Sequence, residues 1–181
     1  ALAYGVDRKL DRRVAVYDFG GGTFDITVLR IQEKIFEVLA TGGDTFLGGD
    51  DLDLVLVDLL ADAFLREHRY DLRADELARP RLTIAAEQIK RKLSVDEEVV
   101  GEVKDIAHGE GGRPIALEFH VRRAQFEEAI GGLVERTFRA CDEVLKLAQL
   151  APGEIEDILL VGGTTRVPLV RRQVEEYFGW A

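Results

Sequence analysis

The sequence predicts an α/β protein in which a mixed β-sheet flanked by helices carries a smaller α+β insertion. Three observations lead there. Val14-Ala15-Val16-Tyr17-Asp18-Phe19 reads as a buried strand, and Thr23 to Ile31 alternates like a second one, with Gly20-Gly21-Gly22 as a tight turn between them. Long amphipathic stretches from Leu52 to Phe64 and from Gln125 to Gln149 have helical period. The order along the chain is strands, helices, strands, helix, strand, helix, which places an inserted subdomain at residues 48–130 within a core built from residues 1–47 and 131–181.

Ile35 to Thr41 is expected to be a third strand, with Lys34 in the turn before it. Gly42-Gly43-Asp44 and Gly48-Gly49-Asp50-Asp51 should bracket a loop, and Asp50 and Asp51 suit the positive N-terminal end of the helix that follows. On that helix Leu52, Val55, Leu56, Leu59, Leu60, Ala63 and Phe64 share a face, and Glu67-His68-Arg69 closes it. A second helix is expected after Pro80, with Leu82, Ile84, Ala85, Ile89 and Leu93 as its apolar positions. Residues 95–121 read as β structure divided by the charged, Gly-rich turn His108 to Arg113. The helix from Gln125 is weakened at Gly131-Gly132, Ile155 to Val161 gives a last strand, Gly162-Gly163 a turn, and Val167 to Phe178 a closing helix.

Composition narrows the function classes. The chain of 181 residues is 46% hydrophobic and 32% charged, the mixture of a soluble globular protein. No apolar run approaches the roughly 20 residues of a membrane span, and no secretory leader is visible. With one cysteine, Cys141, neither an internal disulfide nor a cysteine metal cluster is possible, and a cytoplasmic home is expected. Cys141 sits in a helical pattern as a buried thiol. The net charge of −10, without a basic stripe, argues against nucleic acid as a partner. The opening Ala1-Leu2-Ala3-Tyr4 and the absence of methionine suggest a piece of a longer chain.

Three segments carry candidate chemistry. In Asp18-Phe19-Gly20-Gly21-Gly22-Thr23-Phe24-Asp25 the glycines let backbone approach a bound group, and their N–H groups can form a nest for phosphate oxygens. Asp18 and Asp25 flank it, as carboxylates that organise Mg2+ and its waters do, and the Thr23 hydroxyl can donate to phosphate. Taken alone, the segment is equally an ordinary Gly-rich hairpin turn. In Val161-Gly162-Gly163-Thr164-Thr165-Arg166-Val167-Pro168 a strand meets two glycines and a helix start, an arrangement that binds anions or simply turns the chain. On the second helix Glu87, Lys90, Arg91 and Ser94 share a face. A carboxylate and an ammonium there can hold ribose hydroxyls and a guanidinium can stack on adenine, but without the other segments this is a solvated charged face. His68, His108 and His120 lack metal-ligand spacing, and Trp180 reads as incidental.

Together these segments resemble the heat-shock seventy (DnaK-type) chaperone family, over Ala1 to Gly179. Asp18 to Asp25 resembles its second phosphate motif, and Val161 to Pro168 its adenosine motif, with Thr164 where many members have serine. Ala40 to Asp53 (Ala-Thr-Gly-Gly-Asp-Thr-Phe-Leu-Gly-Gly-Asp-Asp-Leu-Asp) and Arg123 to Glu128 match further family stretches. The resemblance implies the second lobe of an actin-like, ribonuclease-H-like ATPase domain, with ATP or ADP, Mg2+ and an accessory K+ as its ligands. By position, Gly20, Gly21, Gly22 and Thr23 would contact phosphates, while Asp18 and Asp25 would order metal and water. Glu87 and Lys90 would hold the ribose, Arg91 and Arg166 would sandwich the adenine, and Ser94 would bond its edge. Gly162, Gly163, Thr164 and Val167 would line the pocket.

The family's first phosphate loop, its lysine and an aspartate of the first lobe would precede Ala1, and a further aspartate and the linker to a peptide-binding domain would follow Ala181. Phosphoryl transfer needs the γ-phosphate and water positioned from several sides, so negligible hydrolysis is expected of these residues alone. The implied partners are the first lobe, the peptide-binding domain, a nucleotide exchange factor and J-domain cochaperones. Two other readings stand beside this one. Residues 48–130 could act as a cochaperone docking module, or the chain could come from a sugar kinase, an acetate kinase or a bacterial actin relative.

Overall fold

In a computed structural model, residues 10–33 and 35–179 are described. Lys34 and Trp180 lie outside the described residues. The chain divides into two compact units, residues 1–49 with 132–181, and residues 50–131.

The first unit is built on a mixed four-stranded sheet. β1 (Leu10–Phe19) and β2 (Phe24–Glu33) form the expected hairpin, paired from Leu10↔Glu33 to Phe19↔Phe24. β3 (Ile35–Asp44) continues antiparallel to β2, with a register shift at Val28/Leu29, and β6 (Asp157–Val161) runs parallel to β1. β3 runs on through Gly42-Gly43-Asp44, past the Thr41 end expected from sequence. Glycine is required there by contact: a Cβ at Gly43 would lie 2.1 Å from the Phe24 carbonyl oxygen, and one at Gly42 would lie 2.7 Å from Val144. The breakers are therefore strand residues placed where another segment passes close by.

β1 buries Tyr17 and Phe19 on one face, and their register neighbours Ile26 and Phe24 are buried beside them. Tyr17 and Phe24 rings stand 4.6 Å apart, and Tyr17 also meets Phe138 on α3 (Arg123–Ala148), whose residues from 132 onward belong to this unit. Phe138 in turn meets Tyr177 of α4 (Pro168–Phe178) at 4.9 Å. The sheet, α3 and α4 are thus joined by one chain of aromatic contacts. The Tyr17 hydroxyl donates to Thr137 Oγ1 at 2.7 Å, and the Thr137 hydroxyl donates in turn to the Val134 carbonyl at 2.6 Å. Burial pushes the Tyr17 hydroxyl well above its ordinary range, so it stays a donor. Cys141 is fully buried and its thiol is likewise pushed up by burial, which leaves it a packing group without thiolate character.

The second unit holds α1 (Gly49–His68) from Asp50 onward, α2 (Ala78–Leu93) and the β4 (Glu98–His108)–β5 (Pro114–Arg122) hairpin. α2 starts before Pro80. Asp75 accepts from the Leu77 and Ala78 N–H groups at 2.8 and 2.9 Å, which satisfies the helix end, and Pro80 then falls in the first turn, where its missing N–H does no harm. Ala86 is buried and Ile84 exposed, so the apolar stripe is rotated from the one read in sequence. On α1, Val57 and Ala61 join Leu52, Leu56, Leu60 and Phe64 inside, while Ala63 is exposed. Val95 lies outside the strand and is 80% exposed.

Two consequences follow for stability. Tyr17→Phe should lower unfolding free energy by about 1 kcal/mol, the net value of one buried hydrogen bond, in urea titrations. Asp44 accepts from the Phe46 N–H at 2.9 Å and from Arg136 at 2.6 Å, and the backbone bond first, with the guanidinium, holds its carboxyl below the ordinary 3.8. A depressed folded-state value contributes stability above pH 3.8 that is lost as pH falls further. Asp44→Asn should therefore flatten the acid limb of stability measured between pH 5 and about 2.

Candidate functional site

The hairpin loop 20–23 is the meeting point of three segments of the first unit. Gly20 N–H closes the loop by donating to the Thr23 carbonyl at 3.1 Å. The Gly20 carbonyl accepts from the Gly49 N–H at 2.9 Å and from Thr164 Oγ1 at 2.8 Å. The approach is so close that side chains are excluded. A Cβ at Gly48 would stand 2.1 Å from the Gly21 carbonyl oxygen, and one at Gly162, whose φ is +90°, would stand 2.2 Å from that of Phe19. Thr165 Oγ1 donates to the Gly162 carbonyl at 2.7 Å and fixes the turn that leads, through the 3-10 segment Gly163–Arg166, into α4. Val167 precedes Pro168 with φ −62° and ψ 124°, extended as a residue before proline prefers.

Other glycines of the same loops have no such internal reason. A Cβ at Gly22 or Gly163 would meet nothing within 4 Å, one at Gly20 only an ordinary contact at 3.7 Å, and none of the three has a positive φ. Gly21, Gly22, Thr23, Gly163 and Arg166 are exposed, so open backbone faces solvent at this end of the sheet. Asp18 and Asp25 are register partners on β1 and β2, one step from the loop. Like charges placed directly opposite repel. Thr23 Oγ1 donates to Asp25 Oδ2 at 3.1 Å, which holds that carboxylate beside the loop.

This donor set suits Mg2+ held through water. Among the described residues no three His, Cys, Asp or Glu side chains gather as a direct ligand set. A pair of carboxylates beside an exposed, glycine-rich loop can serve a hydrated Mg2+, since that ion keeps several waters and takes much of its ligation from phosphate.

The remaining candidates lie on α2, in the second unit. Arg91 donates to Glu87 Oε1 at 2.5 Å, an i,i+4 pair with side chains 74% and 45% exposed. Ser94 caps the helix end, its hydroxyl donating to the Lys90 carbonyl at 3.3 Å. Lys90 Nζ reaches Asp53 Oδ2 on α1 at 2.7 Å. The structure thus gathers Asp18, Gly20 to Thr23, Asp25 and Gly162 to Val167 in one unit, and Glu87, Lys90, Arg91 and Ser94 in the other. Sequence reasoning passed over Gly48 as a packing residue and named Asp53 only as the end of a matching stretch, without a role. The Gly-Gly-Asp-Asp-Leu-Asp stretch was visible, but only the backbone approach and the buried ion pair give its residues a role.

A family model described as "Hsp70 protein" matches residues 1–181. The chain belongs to the Hsp70 family. It is 45% identical over 180 residues to the "Chaperone protein DnaK" of Thermotoga petrophila and to that of Thermotoga maritima, and 44% identical to that of Thermotoga neapolitana. Each match covers 99% of this chain and 30% of the relative, so the chain spans about a third of the length of these Hsp70 relatives. The Hsp70 ATPase domain has the actin-like fold, and the mixed sheet with its flanking helices is the α/β architecture of one lobe.

The two classes of glycine separate by substitution. Gly48→Ala forces backbone to move and should lower unfolding free energy by about 1–3 kcal/mol. Gly22→Ala meets open space and should leave it unchanged or raise it by up to about 1 kcal/mol, as read by denaturant unfolding.

Proposed function

We propose that this chain is the second lobe of the nucleotide-binding domain of a DnaK-type chaperone, carrying half of an ATP site. The observation that carries this reading is the set Gly20, Gly22 and Gly163. Packing and backbone dihedrals explain the neighbouring Gly48 and Gly162 but leave these three glycines without an internal cause. A group that must approach the backbone, such as a polyphosphate, supplies one. In this reading Gly20 to Gly22 and Thr23 contact phosphates, and Asp18 and Asp25 hold the waters of Mg2+, with K+ as an accessory ion. Bound Mg2+ would neutralise charge developing on the phosphates.

On α2, Glu87 and Lys90 hold the ribose and Ser94 the adenine edge. Arg91 and Arg166 give planar guanidiniums for adenine, with Gly162, Gly163, Thr164 and Val167 as further lining. The resemblance to the heat-shock seventy family extends the reading to a parent that hydrolyses ATP in the cytoplasm, with J-domain cochaperones, an exchange factor and a peptide-binding domain as partners. Hydrolysis needs groups beyond this set, so the 181-residue chain binds adenine nucleotide weakly and turns over none.

A second reading is favoured by a different feature. In the second unit a groove lined by Arg73, Glu76, Arg79, Thr83 and Ile84 lies beside Leu77, which is 83% exposed. Exposed apolar residues rimmed by charge are a docking surface of the kind a cochaperone would use.

Titration of the isotope-labelled chain with ADP and Mg2+ by NMR separates the two. The expected result is shifts clustered at residues 20–23, 87–94 and 162–166, with Gly22→Ala weakening binding while the fold is retained. No localised shift at millimolar nucleotide would overturn the nucleotide reading and leave docking in first place. Release of phosphate from ATP above an Asp18→Asn control would overturn the claim that the chain is inactive.

A further inference from the structure

Asp53 is the one carboxylate among the described residues that is buried, at 6% exposure. It sits early in α1 and accepts from Lys90 Nζ at 2.7 Å, with the two side chains 9% and 13% exposed. Its other oxygen, Oδ1, is buried and has no hydrogen-bond partner. Burial pushes the Asp53 carboxyl up, the Lys90 ammonium pulls it down, and the nearby charges of Glu87 and Asp50 push it up again. Such a pair is a poor means of stabilising a fold. Desolvating two charges offsets most of their attraction, and apolar residues of similar volume often do as well or better. The neighbours Leu52, Leu56, Ile89 and Leu93 on the two helices are buried and apolar, so an aliphatic pair would suit the place.

What the pair does supply is a fixed ammonium. A free lysine loses up to about 2 kcal/mol of rotamer entropy when a ligand orders it. Lys90 is ordered beforehand from below, one helical turn after Glu87. Glu87 can only accept and Lys90 can only donate, the two halves of what a vicinal diol needs.

We propose that Asp53 is a positioning residue that holds the Lys90 ammonium ready for the ribose hydroxyls, without touching the sugar itself. This rests on the nucleotide reading of Lys90 given above. The binding contributed by the 2′ and 3′ hydroxyls then depends on a carboxylate on a different helix.

The test compares Mg-ADP with Mg-2′,3′-dideoxy-ADP on the 181-residue chain, by NMR titration, for the unaltered protein, Asp53→Asn, Lys90→Gln and the double variant. The unaltered chain should prefer ADP by roughly tenfold, about 1.4 kcal/mol for the hydroxyl contacts. Asp53→Asn should bring that ratio close to the Lys90→Gln value while leaving dideoxy-ADP affinity unchanged, and the double variant should lose no more. A general loss of stability moves both ligands together and leaves their ratio alone. Asp53→Glu, which keeps the charge but shifts it by one methylene, should give an intermediate ratio, and it serves if Asp53→Asn does not fold. A full ADP preference in Asp53→Asn, or in Asp53→Glu where that is the variant that folds, would overturn the inference alone. Additive losses in the double variant would do the same. No ADP binding by the unaltered chain would overturn it together with the nucleotide reading.

Discussion

The first unit depends on the Gly20 carbonyl. Two donors far apart in sequence, the Gly49 N–H and the Thr164 hydroxyl, converge on it, and both arrive through segments that lie backbone against backbone on the hairpin. The constraint is steric before it is polar. Gly48 and Gly162 must lack side chains for the segments to approach at all, and only then can the hydrogen bonds form. The loop end of the sheet is consequently shaped by its own neighbours. Its backbone path is therefore set by packing within the unit, with Gly21, Gly22 and Thr23 left exposed.

That constraint also separates two kinds of glycine that look identical in sequence. Gly48 and Gly162 are explained by what they touch, and Gly22 and Gly163 are not. Gly131, Gly132 and Gly153 are equally unconstrained elsewhere, so what points to a requirement from outside the fold is the gathering of such glycines in the loops at one end of the sheet. The same logic applies to polar groups. Thr164 is buried and its hydroxyl already donates to the Gly20 carbonyl, so its hydroxyl braces the loop whatever else the residue lines, whereas Thr23 lies exposed at the loop rim beside Asp25.

Much of the fold was legible because alternation and helical period are strong signals where one face is buried. Val14 to Phe19, Thr23 to Ile31 and the long helices follow from them. The errors have one physical source, contacts that no local pattern encodes. Gly42 and Gly43 read as breakers because a local reading cannot know that Val144 and Phe24 press on them. Pro80 read as a helix start because the Asp75 cap that allows an earlier start is a side-chain bond, invisible in periodicity. Within the candidate site, loop residues and the charged face of α2 were legible as motifs. Asp53 was not, since an aspartate near a helix N-terminus already has a sufficient explanation in the dipole. Its burial against Lys90 is a tertiary fact.

The polar face of α2 holds two ion pairs of opposite character. Glu87–Arg91 is exposed, and pairs of that kind contribute about 0–1 kcal/mol, so a ligand can open it at little cost and take either partner. Lys90–Asp53 is buried, and parting it would strand a charge away from water, a loss of about 3–5 kcal/mol. One surface therefore offers a displaceable acceptor and guanidinium beside a donor that stays in place. The sugar–base ligand proposed above would be served by this combination. Its planar base is best met by groups that can swing aside and close over it, while its diol is best met by a donor whose position was settled when the protein folded.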